Sequence, residues 1–293
     1  MLPAPSSTHI HPTMASLSIT ADPLSLIPTF PNEDPSIYPP IQSGGSLILA
    51  WQIRNKRVLL VGGGNVAATR LVHLLSADAL VTLICPPSGL HPETAYRLKT
   101  HESRITYIPR NFEPSDLSSI PSISLVLTAI DDPVASTEIY TLCKSLNYPV
   151  NVADVPPECD FYFGSVHRDG PLHIMVSTGG NGPKLAAMIR RKVADSLPKE
   201  TSKAIVKVGE LRKMLRAIAP EKDEGAKRME WMSRVCESWE FEELAEMTEG
   251  DMKILLEGYK DGVVKRYKEV KLLESVRSGE EEDDRREGKP VDA

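Results

Sequence analysis

The stretch Arg57-Val58-Leu59-Leu60-Val61-Gly62-Gly63-Gly64-Asn65-Val66-Ala67-Ala68 decides the fold, because an apolar run breaks into glycines and then resumes at helical spacing. This pattern predicts a buried strand, a tight turn and a helix. Gly62, Gly64 and Ala67 fit the dinucleotide fingerprint: the first makes the turn, the second admits a pyrophosphate close to the backbone, and the small third residue lets helix and strand pack closely. The N–H groups and positive dipole end of the helix would face the phosphates. We expect a nucleotide site here; a glycine-rich turn without a ligand is the alternative.

Composition narrows the class of protein. The chain has 293 residues, enough for one large domain or two modest ones, and four cysteines without a CxxC pair. Neither a disulfide framework nor a zinc site is indicated, so a reducing, cytoplasmic setting is expected. The formal charge of −6 argues against nucleic acid as a partner, and no apolar run approaches the roughly 20 residues of a membrane span. The first forty residues hold no Arg or Lys, which argues against a secretory signal or a mitochondrial presequence.

The composition also changes along the chain, and it predicts five segments. Residues 1–43 are rich in Pro, Ser and Thr and are expected to be a disordered lead. Residues 278–293 are expected to be a disordered acidic tail. Between them we expect a Rossmann-type nucleotide-binding domain at 44–154, a small α+β domain at 155–200 and a helical domain at 201–277.

Apolar strands alternate with helical patterns through the first of these domains, which is typical of an α/β fold with a doubly wound parallel sheet. The expected strands are 57–61, 80–84, 105–108, 124–129 and 149–152, with an extra strand within 44–51 beside the first, and the next helices are expected at 92–99 and 134–146. Ligands of such sheets sit beyond the carboxyl ends of the strands. That rule brings four turns to one crevice, namely 62–66, 85–88, 129–132 and 153–154.

The turn after the second strand lacks the acid with which many NAD-binding folds hold the ribose 2′-hydroxyl, because it reads Cys85-Pro86-Pro87. Backbone groups of Pro86 and Pro87 are candidates to hold the adenosine sugar, and the choice between NAD and NADP stays open. Asp131 and Asp132 follow the fourth strand and could orient the cofactor or cap a helix. The other candidate cofactor contacts in these turns are Asn65, Val66 and Ala129.

A hairpin and a second glycine-rich turn follow the predicted sheet. Strands at 161–166 and 172–177 flank Arg168-Asp169-Gly170, which is typical of an antiparallel pair around an Asp-Gly turn. Residues 177–184, Ser-Thr-Gly-Gly-Asn-Gly-Pro-Lys, then open a helix at 185–197 with the proline at a favourable first position. The N-terminus of this helix is also suited to anions.

Four basic side chains cluster along this helix in an otherwise acidic protein. They are Lys184, Arg190, Arg191 and Lys192. Binding of a polyanionic substrate is one explanation. A solvated helix face is the other, and it stays open for Arg191 and Lys192, which cannot both share a face with Lys184 and Arg190.

From residue 201 onward the apolar spacing is helical, and no chemical motif appears. Helices are expected at 229–239 and 252–259, the second introduced by Thr248 as a cap. Three large side chains here are expected to pack in a core or a lid, namely Trp231, Met232 and Trp239.

Four motifs, in order, together resemble one family: 62–67, 128–132, 151–154 and 177–183. It is the precorrin-2 dehydrogenase/sirohydrochlorin ferrochelatase family of sirohaem synthesis, and the long helical C-terminus looks like the fungal bifunctional type without a methyltransferase domain. The resemblance covers about residues 44–275. It implies an NAD-binding first domain, a middle domain that forms a homodimer through intertwined strands, and a helical domain that closes the site.

The resemblance also implies the chemistry: NAD-dependent oxidation of precorrin-2 to sirohydrochlorin, and then insertion of ferrous iron to give sirohaem. Dehydrogenase-only relatives exist, so the second activity stays open. A non-catalytic regulator that senses a dinucleotide is an alternative of a different class, since it would keep the fold without turnover.

The family's catalytic aspartate, in its Asn-Val-x-Asp segment, corresponds to Asp154. Both reactions release protons from the macrocycle, so one carboxylate could act as a base twice. A cap or turn role ahead of Pro156-Pro157 is the alternative. His167 and His173 could touch iron, but no His, Cys or carboxylate spacing marks a preformed iron site, and the metal-contacting residues stay unknown.

The family's Ser-Gly-Gly turn corresponds to Thr178-Gly179-Gly180, which keeps the hydroxyl group. The implied tetrapyrrole carries eight carboxylates, which backbone N–H groups and charge-assisted bonds could hold. The candidate substrate-binding residues are Thr178, Gly179, Gly180, Asn181, Lys184 and Arg190.

Overall fold

The computed structural model describes residues 40–41 and 43–287, with side chains up to residue 277. Almost all of the expected disordered lead therefore lies outside the described residues. The chain forms two units, 1–47 and 48–293, and every helix and strand below belongs to the second.

A five-stranded parallel sheet forms the first part of this unit. Its strands are β1 (Arg57–Val61), β2 (Leu80–Ile84), β3 (Ile105–Ile108), β4 (Ile123–Thr128) and β5 (Val150–Val152), in the order β3-β2-β1-β4-β5. Val61 pairs with Ile84 on one side and with Thr128 on the other, so the central strands end level with one another. The predicted doubly wound sheet is confirmed. Its topological switch point lies where β1 meets β4, and such sheets bind ligands there.

Helices cover both faces of the sheet, which explains why β1 is apolar and buried after Arg57. They are α1 (Asn65–Ser76), α2 (Pro92–Thr100), α3 (Asp116–Ser119) and α4 (Pro133–Ser145). Side chains of β1 alternate between the faces. Val58 and Leu60 pack in one core with Leu71 of α1, and Leu59 packs in the other core with Ile139 of α4.

The extra strand predicted within 44–51 is wrong. Residues 45–53, all of which the structure describes, form no strand, and the side chain of Leu49 is 68% exposed. A strand beside β1 is impossible because β2 and β4 already occupy both of its edges. Trp51 instead packs edge-on against Phe161, with 5.6 Å between the ring centroids.

The middle segment contains the predicted hairpin and helix: β6 (Ser165–Asp169), β7 (Leu172–Val176) and α5 (Pro183–Asp195). The first strand starts later than predicted because Phe161 and Phe163 pack against the Rossmann core instead of joining the hairpin. Asp169 pairs with Leu172, so the turn consists of Gly170, at φ +53°, and the proline after it.

Five helices follow in the described part of the chain: α6 (Thr201–Ile218), α7 (Gly225–Ser238), α8 (Phe241–Ala245), α9 (Glu249–Glu257) and α10 (Tyr267–Glu287). Thr248 caps α9 as predicted, because its hydroxyl accepts a hydrogen bond from the N–H of Asp251 at 3.0 Å. Trp231 and Trp239 are buried, and their indole N–H groups donate to the carbonyls of Val263 and Lys265. Together with buried Met232, they form a core.

The chain is helical beyond residue 278, where the sequence analysis predicted a disordered acidic tail. Helix α10 continues to Glu287, and the last six residues lie outside the described ones. Glu and Arg are strong helix formers, and this outweighs the charge density on which the prediction of disorder relied. No helix in the part of the chain that the structure describes is both long and apolar enough to cross a membrane.

Candidate active site

The first glycine turn is shaped by packing on its inner side and is open on its outer side. Gly62 has φ +106°, and a Cβ atom there would lie 2.0 Å from the carbonyl oxygen of Ala129. A Cβ atom on Gly63 would lie 2.6 Å from the sulfur of Cys85. At Gly64, by contrast, a Cβ atom would meet nothing within 4 Å in the described structure. The open side is where a pyrophosphate would approach the backbone.

The N-terminus of α1 fits an anion. Gly64 is the N-cap and provides no side-chain cap, and the first turn holds no acidic residue. Asn65 and Val66 are exposed there, whereas Ala67 is fully buried against the sheet. Free N–H groups and the positive dipole end therefore face the open side of the turn. The residues present fit a dinucleotide.

Hydrogen bonds hold the proline turn after β2 beside the glycine turn. The N–H of His91 and the hydroxyl of Thr94 both donate to the carbonyl of Gly63, at 2.8 and 2.9 Å. This places half-buried Pro86 and exposed Pro87 next to the glycines. Residues 85–92 contain no carboxylate, Lys or Arg, and the ring of His91 caps α2. Side chains of this turn therefore do not distinguish NAD from NADP.

Residues after β4 form the other wall of the crevice. The N–H of Ala129 donates to the carbonyl of Val61 at 2.8 Å, which joins the ends of the two central strands. The carboxylate of Asp132 accepts a hydrogen bond from the N–H of Ala135 at 3.0 Å and caps α4. The neighbouring Asp131 is exposed at the strand end.

Asp154 follows β5 in a left-handed conformation, with φ +62°. The N–H of Ala153 donates to the carbonyl of Thr128 at 2.9 Å, so Asp154 sits at the same sheet edge as the glycine turn. Its carboxylate is exposed and makes neither a hydrogen bond nor an ion pair with any described residue. The short 3-10 helix Pro156–Glu158 has Val155 as its N-cap, so Asp154 is not its cap. A non-glycine residue with positive φ and a free functional group is typical of a functional site.

A cavity of about 380 Å³ brings Asp154 together with part of the predicted substrate-binding turn. Thr178 and Gly180 line it, and so does Arg70 of α1. Lys184 and Arg190 do not line it. Lys184 is exposed at the start of α5, and the Nε of Arg190 donates at 3.2 Å to the hydroxyl of Ser165, which is itself in the cavity wall.

The second glycine turn uses its polar side chains to hold its own shape. Gly179 and Gly180 have φ +58° and +84°, values that favour glycine. The hydroxyl of Thr178 accepts a hydrogen bond from the N–H of Gly182 at 3.2 Å, and the amide of Asn181 donates to the carbonyl of Thr178 at 2.9 Å. The N–H groups of Gly179 and Asn181 also donate hydrogen bonds within the turn, so the N–H of Gly180 and the uncapped N-terminus of α5 are left to face a ligand.

Arg70 is the cavity residue that sequence reasoning missed. Its guanidinium carbon lies 3.9 Å from the centre of the Phe163 ring. Burial lowers the pKa of Arg70, and the nearby Cys159 and Asp154 side chains act in the opposite direction. The sequence shows a charged residue, Arg70, directly before the apolar Leu71 on α1. It does not show that Arg70 contacts Phe163, because the two residues are far apart in the sequence.

Among residues 40–41 and 43–277, no three His, Cys, Asp or Glu side chains are grouped to hold a metal ion. His167 pairs with Ile174 in the hairpin, whereas His173 pairs with Arg168. The two histidines therefore point to opposite faces and cannot hold one ion together.

Family models match most of the chain in three consecutive blocks. Residues 49–165 match a family described as "Putative NAD(P)-binding". Residues 169–196 match "Sirohaem biosynthesis protein central", and residues 198–265 match "Sirohaem biosynthesis protein C-terminal". These blocks agree with the Rossmann, middle and helical parts of the structure.

Individual relatives agree with these matches. The chain is 51% identical to a siroheme biosynthesis protein of Schizosaccharomyces pombe, over 80% of this chain and 87% of the relative. It is 31% identical to a siroheme biosynthesis protein of Saccharomyces cerevisiae, over 64% of this chain and 81% of the relative. It spans only 34% of the siroheme synthase of a Psychrobacter species, at 31% identity. Among solved structures, SirC, a precorrin-2 dehydrogenase, has a similar fold, with a TM-score of 0.57 and 15% identity over 74% of this chain and all of that one.

Proposed function

This chain belongs to the family of sirohaem biosynthesis proteins, and we propose that it oxidises precorrin-2 to sirohydrochlorin with NAD and then inserts ferrous iron to give sirohaem. One observation carries the proposal: the unpaired carboxylate of Asp154 shares a cavity with the second glycine turn, at the same sheet edge as the nucleotide turn. A base, an anion-binding turn and a dinucleotide turn are the parts that these two reactions need.

The first glycine turn and the start of α1 would hold the dinucleotide. Backbone N–H groups beyond Gly64 would bind the pyrophosphate, and the main chain at Pro86 and Pro87 would border the adenosine sugar. Ala129 and Asp131 would border the cofactor on the other side of the switch point. NAD, when bound there, supplies the acceptor for the hydride that precorrin-2 loses.

Asp154 would act as the base in both reactions. In the oxidation the macrocycle loses a hydride and a proton, and the Asp154 carboxylate accepts the proton. In the second reaction ferrous iron, a substrate, displaces two pyrrole N–H protons. Asp154 can accept these one at a time and pass each to water, because its side chain is exposed.

The carboxylates of the tetrapyrrole would bind at the second glycine turn. The backbone N–H group of Gly180 and the N-terminus of α5 provide neutral donors, and Lys184 provides an exposed positive charge. Arg190 would act at a distance, through its hydrogen bond to Ser165.

We further propose that the protein is a homodimer. Leu185, Met188 and Ile189 lie on one face of α5 and are 55%, 45% and 40% exposed. Contiguous exposed apolar side chains of this kind commonly mark protein interfaces. A second copy of the chain would cover them and enclose the site.

We propose a cytoplasmic location as well. All four cysteines are free thiols, which fits a reducing compartment. Fractionation of cells that express the full chain would test this, and recovery with a membrane or organelle fraction would contradict it.

The central test is Asp154→Asn, which removes the base but keeps a residue that tolerates positive φ. Precorrin-2 and NAD are followed spectrally without oxygen, and ferrous iron is then added. We expect oxidation to fall at least about 100-fold while NAD affinity measured by calorimetry stays near wild type. Asp169→Asn, on the exposed hairpin, is the matched control and should retain activity.

The outcomes separate the alternatives. Normal turnover by Asp154→Asn would contradict the catalytic assignment. Formation of sirohydrochlorin by wild type without accelerated formation of sirohaem would reduce the function to that of a dehydrogenase. Binding of NAD without any oxidation by wild type would favour a regulator. Replacing NAD by NADP in the same assay tests cofactor choice, for which we expect NAD.

A further inference from the structure

Arg70 forms no ion pair with any residue whose side chain the structure describes. It lies on α1 in the wall of the cavity that contains Asp154, with its guanidinium carbon over the ring of Phe163. Its Nε atom is buried and has no hydrogen-bond partner. Among the residues whose positions the structure gives, no carboxylate forms an ion pair with it.

A partly buried guanidinium without a partner needs an explanation. Arginine stays charged in proteins, and buried charges are normally paired and hydrogen-bonded. Asp154 is close enough to interact with Arg70 electrostatically but forms no ion pair with it. The cavity wall therefore holds two opposite charges that are each free to bind something else.

We propose that Arg70 binds a carboxylate of the tetrapyrrole substrate and so fixes which edge of the macrocycle faces Asp154. The inference rests on the proposed function and adds to it a binding residue from the nucleotide domain. A planar guanidinium can grip a carboxylate with two parallel N–H···O bonds. The contact with the Phe163 ring restricts the Arg70 side chain before a ligand binds, so less side-chain freedom is lost on binding.

Two other roles for Arg70 must be separated from this one. Arg70 could bind a phosphate of the dinucleotide, because α1 begins at the nucleotide turn. It could also act only through Asp154, by stabilising its negative charge. A direct measurement of substrate binding in protein that lacks the Asp154 carboxylate distinguishes all three.

The experiment measures sirohydrochlorin affinity by absorbance titration, without NAD or metal, in Asp154→Asn protein and in the same protein carrying Arg70→Met. Methionine keeps the apolar stem against Phe163 and removes the charged donors. We expect about 10- to 100-fold weaker binding, as for the loss of charged hydrogen bonds. Arg70→Lys keeps the charge without the planar guanidinium. Its affinity for sirohydrochlorin should lie between that of the parent Asp154→Asn protein and that of the Arg70→Met variant.

Arg97→Met is the matched control. Arg97 is also a half-buried helix arginine whose Nε has no partner, but its guanidinium already pairs with Glu93 at 3.1 Å. This variant should bind sirohydrochlorin as the parent does. NAD calorimetry and thermal melting of each variant show whether the fold and the nucleotide site are intact.

Unchanged sirohydrochlorin affinity in Arg70→Met would overturn the inference, and so would a loss confined to NAD. If the Arg70→Met variant is unstable, the Arg70→Lys variant tests the inference in its place. An affinity for sirohydrochlorin equal to that of the parent protein in Arg70→Lys would contradict bidentate binding. A failure of the proposed function looks different, because wild-type protein would then neither bind sirohydrochlorin nor oxidise precorrin-2.

Discussion

Gly62 and Ala129 meet so closely that no side chain fits between them: a Cβ atom on Gly62 would lie 2.0 Å from the carbonyl oxygen of Ala129. The N–H of Gly62 donates to Ile84, and the N–H of Ala129 donates to Val61. The first glycine turn is thus held by hydrogen bonding and packing against the ends of the strands on both sides of β1. This contact forms the floor of the crevice at the topological switch point.

The first prediction concerns stability. Gly62→Ala combines a strained φ of +106° with a main-chain collision, so we expect it to lower the free energy of unfolding by about 3 kcal/mol or more. Urea unfolding of the apo protein measures this. Gly64→Ala is the control, because Gly64 has φ −71° and open space around it, and it should change stability by less than about 1 kcal/mol. Equal losses in the two variants would contradict the packing argument.

The second prediction concerns the cofactor. Gly64→Asp points a carboxylate into the open side of the turn, where it would repel the phosphates of a dinucleotide. We expect the variant to melt near the wild-type temperature but to show no measurable heat of NAD binding. Full NAD affinity in Gly64→Asp protein would remove the proposed nucleotide site.

The sequence predicted those features that depend on neighbours along the chain. Glycines at 62–64, the apolar run before them and the periodic helix after them specify a βα unit, and repetition of that unit predicts a parallel sheet. Thr248 as a helix cap could be predicted for the same reason, because its partner lies three residues away.

Features that depend on distant partners could not be predicted. From the sequence alone, Arg70 looks like a solvated helix residue, because its contact with Phe163 exists only in the folded protein. The apolar stretch before β1 looks like a strand, because the sequence does not show that β2 and β4 occupy both edges of β1. The start of β6 was misplaced for a related reason. Phe163 alternates like a strand residue but packs in the core of the neighbouring domain.

The third prediction concerns acid stability. Asp116 is buried, and its carboxylate accepts two hydrogen bonds from Arg110, at 2.6 and 2.9 Å. Hydrogen bonding from Arg110 lowers the pKa of Asp116, although burial opposes this. A carboxyl group whose pKa is lower in the folded protein stabilises it above the unfolded-state pKa, and this contribution is lost as the pH falls through the folded-state pKa.

Asp116→Asn should therefore lower the free energy of unfolding by about 1–3 kcal/mol at neutral pH, and the difference from wild type should shrink in acid. Urea unfolding across the acid range tests both parts. Glu113→Gln, which removes a more exposed partner 3.9 Å from the same arginine, should cost less than about 1 kcal/mol. A difference that stayed constant with pH would show that the charge of Asp116 does not matter.

The last prediction concerns assembly. Met188 lies at the centre of the exposed apolar face of α5, so a charge there would be buried without a partner if a second copy covers this face. We expect Met188→Glu to have the mass of a monomer by light scattering, at concentrations where wild type has the mass of a dimer. Val134→Glu makes the same kind of change at a 68% exposed position on α4 and should leave the dimer intact. A wild-type monomer would refute the proposed dimer, and a dimeric Met188→Glu protein would place its interface elsewhere.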